Sequence, residues 1–146
     1  MMRGVVRAIV IVAAIVFCGC LAPQNALMVG VDMQSWSNTD TLSYDNSDTL
    51  SLRNLNIALR YNKNFKEPVL PLRIGVTTPD ARYFEETIYL QIEHSRSALV
   101  VAKTESLPYR DSVVFRENGA YIFAFTPLDE VRGMEAIGIE FRDIAE

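Results

Sequence analysis

Two cysteines, one histidine and one tryptophan are all that the 146 residues hold of those types. Both cysteines, Cys18 and Cys20, fall in "VFCGCLAP", residues 16–23. No disulfide can therefore staple the rest of the chain, whose stability has to come from a hydrophobic core, which is feasible at this size. One residue between the cysteines is too little for a zinc knuckle, which needs two to four, and no further cysteine completes a site. A Ser-His-Asp mechanism would have to run through His94, in "EHSRS", and no Gly-x-Ser-x-Gly elbow supplies a nucleophile. His94 reads as a surface histidine in a loop. The twelve-residue calcium loop is also missing, "DNSD" at residues 45–48 being only a faint likeness to it. The carboxylate pairs Glu85-Glu86 and Asp129-Glu130 read as solvated charges. Adjacent strand residues point to opposite faces, which keeps Glu85 and Glu86 from flanking one bond. The expectation is a chain without catalytic residues, metal or cofactor, and so not an enzyme.

A basic excess is lacking too: the formal net charge is −4. An acidic domain is a poor partner for nucleic acid, which requires a basic face.

What is present starts at the N-terminus. Arg3 and Arg7 precede "AIVIVAAIVFCG", residues 8–19, an apolar run without charge or proline. Twelve helical residues rise about 18 Å against a hydrocarbon core of about 30 Å, too short for a comfortable span. A basic start, a short apolar core and small residues mark a secretory signal peptide. The cysteines then fit a bacterial lipobox, in which the signal is cut just before a cysteine that carries lipid. Gly19 precedes Cys20 and is small enough for a peptidase pocket, whereas the Phe17 before Cys18 is too bulky. Cys20 is thus expected to be the lipid attachment site, with Gly19 on the cleavage side and Cys18 leaving with the signal. The alternative is ordinary signal-peptidase cleavage with Cys20 as a stray thiol. Several acyl chains on Cys20 would make a lasting tether, since each buried CH₂ contributes about 0.8 kcal/mol. The division expected is a signal peptide over 1–19, a lipidated tether and possible first strand over 20–35, and a folded domain over 36–146. Loss of Arg3 and Arg7 leaves 12 basic against 18 acidic residues, a formal charge of −6.

The folded part reads as strands. A first strand is expected near residues 27–31, and Leu42 and Tyr44 alternate with polar neighbours. In "DTLSLRNLNIALRY" the apolar set Leu50, Leu52 and the set Leu55, Ile57, Leu59, Tyr61 are out of phase, which predicts a bulge or break at residues 53–54. Period-two runs follow at Leu72, Ile74, Val76 and at Phe84, Ile88, Leu90, Ile92, and "ALVVAK" reads as a short buried strand. Val113 and Phe115 lead into Asn118-Gly119, a hairpin signal, after which Tyr121, Phe123 and Phe125 share one face. "EAIGIEF" is the last strand. About eight strands, spaced by roughly ten residues and without an amphipathic helix, predict an all-β fold, an antiparallel β-sandwich.

Trp36 sits beside Ser35, Ser37 and Asn38. It reads first as a cover over one end of the sandwich and second as a candidate ligand contact, since an exposed ring among hydrogen-bonding side chains suits a sugar. Tyr61, Tyr83, Tyr89, Tyr109 and Tyr121 continue strand patterns and read as packing residues.

From Trp36 onward the motifs "WSNTDTLSY", "LNIALRYNKNF", "IGVTTPD", "ETIYL", "PYRDSVVFRENGAYIFAF" and "VRGMEAIGIEF" occur in an order that resembles the gliding-motility lipoprotein H family of Bacteroidetes, over residues 36–142. That resemblance implies an envelope lipoprotein without enzyme activity, whose partners are proteins of a motility or secretion apparatus. "LAPQN" after Cys20 carries no acidic cluster of the kind that looks like a surface-export signal. The expected location is therefore the periplasmic face of the outer membrane. A glycan-binding lipoprotein is the alternative, and a hydrolase using His94 ranks last.

Overall fold

The computed structural model describes residues 25–94 and 102–144. Alternating apolar and polar residues, many of them β-branched or aromatic, make eight strands and, among the described residues, no helix. They are β1 (Ala26–Gly30), β2 (Asp40–Asn46), β3 (Arg53–Tyr61), β4 (Val69–Thr77), β5 (Tyr83–Gln91), β6 (Lys103–Val113), β7 (Gly119–Pro127) and β8 (Met134–Asp143). Two four-stranded sheets result, ordered β1-β8-β3-β6 and β2-β7-β4-β5, with every pairing antiparallel. The expected β-sandwich is what forms. Every connection except β4 to β5 passes from one sheet to the other, a jelly-roll arrangement.

The core lies where the two inner faces meet. Leu55, Ile57, Leu59 and Tyr61 of β3 and Ile137, Ile139 and Phe141 of β8 face Leu70, Leu72 and Ile74 of β4 and Tyr121, Phe123 and Phe125 of β7. All are buried; they are the in-phase sets of the sequence with Leu70 added, while Val76 of the expected set is half-buried. Ala26–Gly30 pairs with β8 along its length, and the Val31 N–H continues the ladder to the Glu135 carbonyl. The first strand expected near residues 27–31 thus forms as β1, and residues before 36 belong to the sandwich. The signal peptide, Gly19 and Cys20 lie outside the described residues, as do residues 98–101 of "ALVVAK".

Leu50 and Leu52 precede β3 and are exposed, so the phase slip marks the start of that strand. The irregularity expected there is real, and the extra residues belong to the partner strand. The pairing of β3 with β6 slips between Arg53 and Leu55 and again between Leu55 and Asn56. Ser112 has a φ of 55° in the first slip and donates its N–H to Asn54 Oδ1 at 3.0 Å.

The hairpin expected at Asn118-Gly119 is overturned. The strand before it, β6, pairs with β3, whereas β7 pairs with β2 and β4, so the Asn-Gly turn serves a crossing between sheets. Buried Asn46 holds that crossing by donating its Nδ2 to the carbonyls of Phe115 (3.0 Å) and Glu117 (2.9 Å). A hairpin and a crossing both need a tight turn, and local residues do not distinguish them.

Gly138, central in β8, pairs with Met28 on one side and Ala58 on the other. A methyl there would run into the backbone of Leu27 and Met28. Gly138→Ala is expected to loosen β1 and cost about 1–3 kcal/mol or more, the range for overpacking. Urea denaturation of wild type and variant reads this directly, and an unchanged midpoint would refute the tight β1–β8 approach.

Candidate functional site

Strands β5 and β6 are the outer strands of their sheets on the same side of the sandwich. Towards the end where β5 begins, the sheets part and leave a cleft of about 410 Å³. That volume falls at the lower end of the range for small-ligand pockets. Val76, Phe84, Val113, Phe115 and Tyr121 are among the side chains that line it. Phe84 follows the inward phase of β5, as its alternation predicts, yet it is 56% exposed because nothing faces it across the cleft. The cleft is an apolar recess with one ring at its mouth.

A charged cluster closes the rim. The Tyr109 hydroxyl and the Arg110 guanidinium both donate to the carboxylate of Glu86, to Oε1 and Oε2 respectively. Consecutive strand residues normally point to opposite faces. Here Leu55 pairs with Arg110 and Asn56 with Pro108, so Tyr109 is the extra residue of a β-bulge, and the bulge brings both side chains to one carboxylate. Burial acts to raise the Glu86 pKa, but the bonds from Tyr109 and Arg110 outweigh it and hold the group below its ordinary value. Burial, followed by the neighbouring Glu86 charge, pushes the Tyr109 phenol well above its usual value. The cluster is therefore a fixed carboxylate, phenol and guanidinium at neutral pH, with its proton positions locked.

Glu85 and Glu86 diverge as strand geometry requires. Glu85 turns outward, with its Oε1 3.5 Å from Arg73 Nε and its Oε2 accepting from the Tyr83 hydroxyl at 2.6 Å. Asp129 and Glu130 are exposed. His94 is exposed at the far end of β5, its Nε2 2.7 Å from the Glu67 carbonyl, its ring 5.8 Å from Tyr61 and 5.5 Å from Phe65. Its partner is a backbone carbonyl, which neither orients nor activates a nucleophile. Asp48 of "DNSD" folds back on its own turn, its Oδ1 accepting from the N–H groups of Leu50 (3.1 Å) and Ser51 (3.0 Å). No metal-binding group of three or more ligands occurs among the described residues.

Trp36 is corrected as a candidate ligand contact. It is 1% exposed, its backbone forms a two-way bridge with Val131, and its Nε1 donates to Asp40 Oδ2 at 2.8 Å. The ring is in the core and has no face to offer a sugar. The tyrosines divide as well. Tyr61 and Tyr121 are buried, whereas Tyr83 and Tyr89 stand 57% and 64% exposed on the outer face of β5.

No protein-family model matches the chain, and no curated protein does. Among solved structures it is similar to that of infectious bursal disease virus, Gx strain, at 11% identity and a TM-score of 0.40, over 80% of this chain. It is also similar to the Gt strain structure, at 8% identity and a TM-score of 0.36, over 86% of this chain. The chain spans 29% and 40% of the length of those two chains. Likeness at that level carries no argument about function, which has to come from the site.

Neither the cleft nor its rim was visible as a motif. Glu86 is distant in sequence from the adjacent Tyr109 and Arg110, and only the bulge brings both of these to it. The one signal was Phe84, an aromatic in the inward phase of a strand whose next inward position is the charged Glu86.

Because the Glu86 pKa is lowered on folding, its charge contributes stability above its usual value near 4.5, lost as the pH falls through the lower folded value. Glu86→Gln is expected to be less stable than wild type by about 1 kcal/mol at neutral pH. That difference should fade at pH 3, and an equal deficit at both pH values, measured by chemical denaturation, would contradict the assignment.

Proposed function

We propose that the chain is a non-catalytic, lipid-anchored β-sandwich of the bacterial cell envelope, held through Cys20 and working by contact with other envelope proteins. The observation that carries binding is the cleft between β5 and β6, an apolar recess with Phe84 at its mouth and a locked charge cluster on its rim. Among the described residues no strand pairs with the outer edge of β5 or β6. An extended segment of a partner therefore has two strand edges to pair with, and one apolar side chain to place between the sheets.

The anchor rests on the sequence: a basic start, an apolar run and Gly19-Cys20. The resemblance of residues 36–142 to the gliding-motility lipoprotein H family supports the same reading and points to motility or secretion proteins as the partners. The absence of an acidic cluster after Cys20 favours the periplasmic face of the outer membrane.

A glycan-binding sandwich is the second reading. Trp36 no longer supports it, but the exposed rings of Tyr83 and Tyr89 on one outer face do.

Cys20→Ala is expected to move the chain out of the membrane fraction and abolish acyl labelling; retention with labelling intact overturns the anchor. Phe84→Asp is expected to lower co-purification of envelope proteins from native membranes about tenfold, the loss of one interface anchor, with unfolding unchanged. If Phe84→Asp keeps its partners while Tyr89→Ala loses retention on polysaccharide, the glycan reading replaces the first.

A further inference from the structure

We propose that the end of the sandwich where the chain enters β1 docks on the lipid bilayer, with Leu50 and Leu52 set into the interface. This inference rests on the lipid anchor at Cys20.

The strand register defines that end. The Asn25 carbonyl accepts from the Phe141 N–H at 2.9 Å, and β1 runs away from this point along β8. Arg53 pairs with Asp143 and with Val113, Asn46 with Gly119, and Thr77 with Tyr83. The loops over residues 47–52, 78–82 and 114–118, together with Ile144, therefore share the end at which residue 25 enters. From Cys20 to Ala26 the chain has six residue steps, and at 3.3–3.6 Å each it reaches about 20 Å at most, whatever path it takes. The polar layer of a leaflet takes up several ångströms of that reach. A lipid on Cys20 thus leaves this end of the molecule little room to stand off from the headgroups.

Exposed apolar side chains gather at the same end. Leu50 is 88% exposed and Leu52 50%, while Ile144 at 38% and Phe84 at 56% lie on the same side of the molecule. Towards the opposite end Met33, Leu128 and Tyr89 reach 49%, 40% and 64%, the last with a polar hydroxyl. The exposure of Leu50 is built in. Asp48 takes the Leu50 and Ser51 N–H groups on Oδ1, and its Oδ2 meets Arg53 Nη2 at 3.2 Å. The ordered turn that results holds two leucines outward. Single exposed leucines are ordinary on protein surfaces; several at the end that a short tether draws to a membrane form a contact patch.

The charges at this end are largely paired, Asp48 with Arg53, and Asp80 with Arg82, which also reaches Glu117. Among the described residues the exposed Arg116 of the 114–118 loop is followed by Glu117, and no basic cluster forms at this end to select anionic lipid, so the contact is apolar and neutral bilayers suffice. The patch is small. It works because the anchor keeps it at high effective concentration beside the surface, where a weak apolar contact is enough to orient the domain.

The test uses the full lipidated protein in phosphatidylcholine vesicles containing spin-labelled lipid. An environment-sensitive fluorophore is attached at Leu50→Cys or, at the opposite end, at Asp129→Cys. Quenching several-fold stronger at position 50 than at position 129 is the expected result. Equal quenching, in a chain that sediments with vesicles and carries lipid mass on Cys20, overturns the docking and leaves the anchor standing. A chain without lipid on Cys20 overturns both.

Discussion

Two sheets held together chiefly by interleaved apolar side chains are the constraint from which the rest of this structure follows. No cysteine lies beyond residue 20, so no disulfide crosses the sandwich. Its cohesion comes from residues such as Ile57, Leu59, Phe123, Phe125 and Ile139, each at most 1% exposed. Burial of that kind is worth about 1.5–3 kcal/mol per large apolar side chain. It requires each strand to keep its inward phase without error, since a one-residue slip turns the whole apolar set to water. The chain meets this requirement while crossing between sheets after nearly every strand, and the crossings are held by side chains such as Asn46.

The bulge in β6 is where strict phase is given up, and it is also where the candidate chemistry sits. One extra residue at Tyr109 brings a phenol and a guanidinium to the same carboxylate on the opposite sheet. The ties join the two sheets at the rim while the interior behind them stays open. A sandwich closed along this side would bury Phe84; this one leaves it at the mouth of a recess. The features that make the site are thus local departures from the rule that makes the core.

The anchor, the docking patch and the cleft are linked by position. Under the proposed anchor the tether enters at the end where β5 begins, and the cleft opens towards that end as well. A partner segment taken by the cleft would meet the protein close to the bilayer surface. Contact would then favour partners that are themselves membrane-bound, in keeping with the proposed envelope role.

The strands were legible because side-chain alternation is a local property with a period of two. The inward sets of β3, β4, β7 and β8 could be read residue by residue, and they led to the right fold class. Even the disturbance near residue 53 was visible as a phase slip, though not that its extra residues lie in β6. The pairing partners were not legible. Asn118-Gly119 is as good a turn for a crossing as for a hairpin, and only the competition of strands for neighbours in two sheets decides between them. The polar neighbours of Trp36 left open both a cover over one end and an exposed ligand contact, and its burial is set by Val131 and Asp40, one of them distant in sequence. By itself the sequence determined that this is an all-β chain with no cysteine beyond residue 20 to link its sheets, because periodicity and composition need no partner. The tertiary structure alone decided which aromatics face water, where the sheets part and which charges meet, because each depends on contacts between segments that local sequence does not encode.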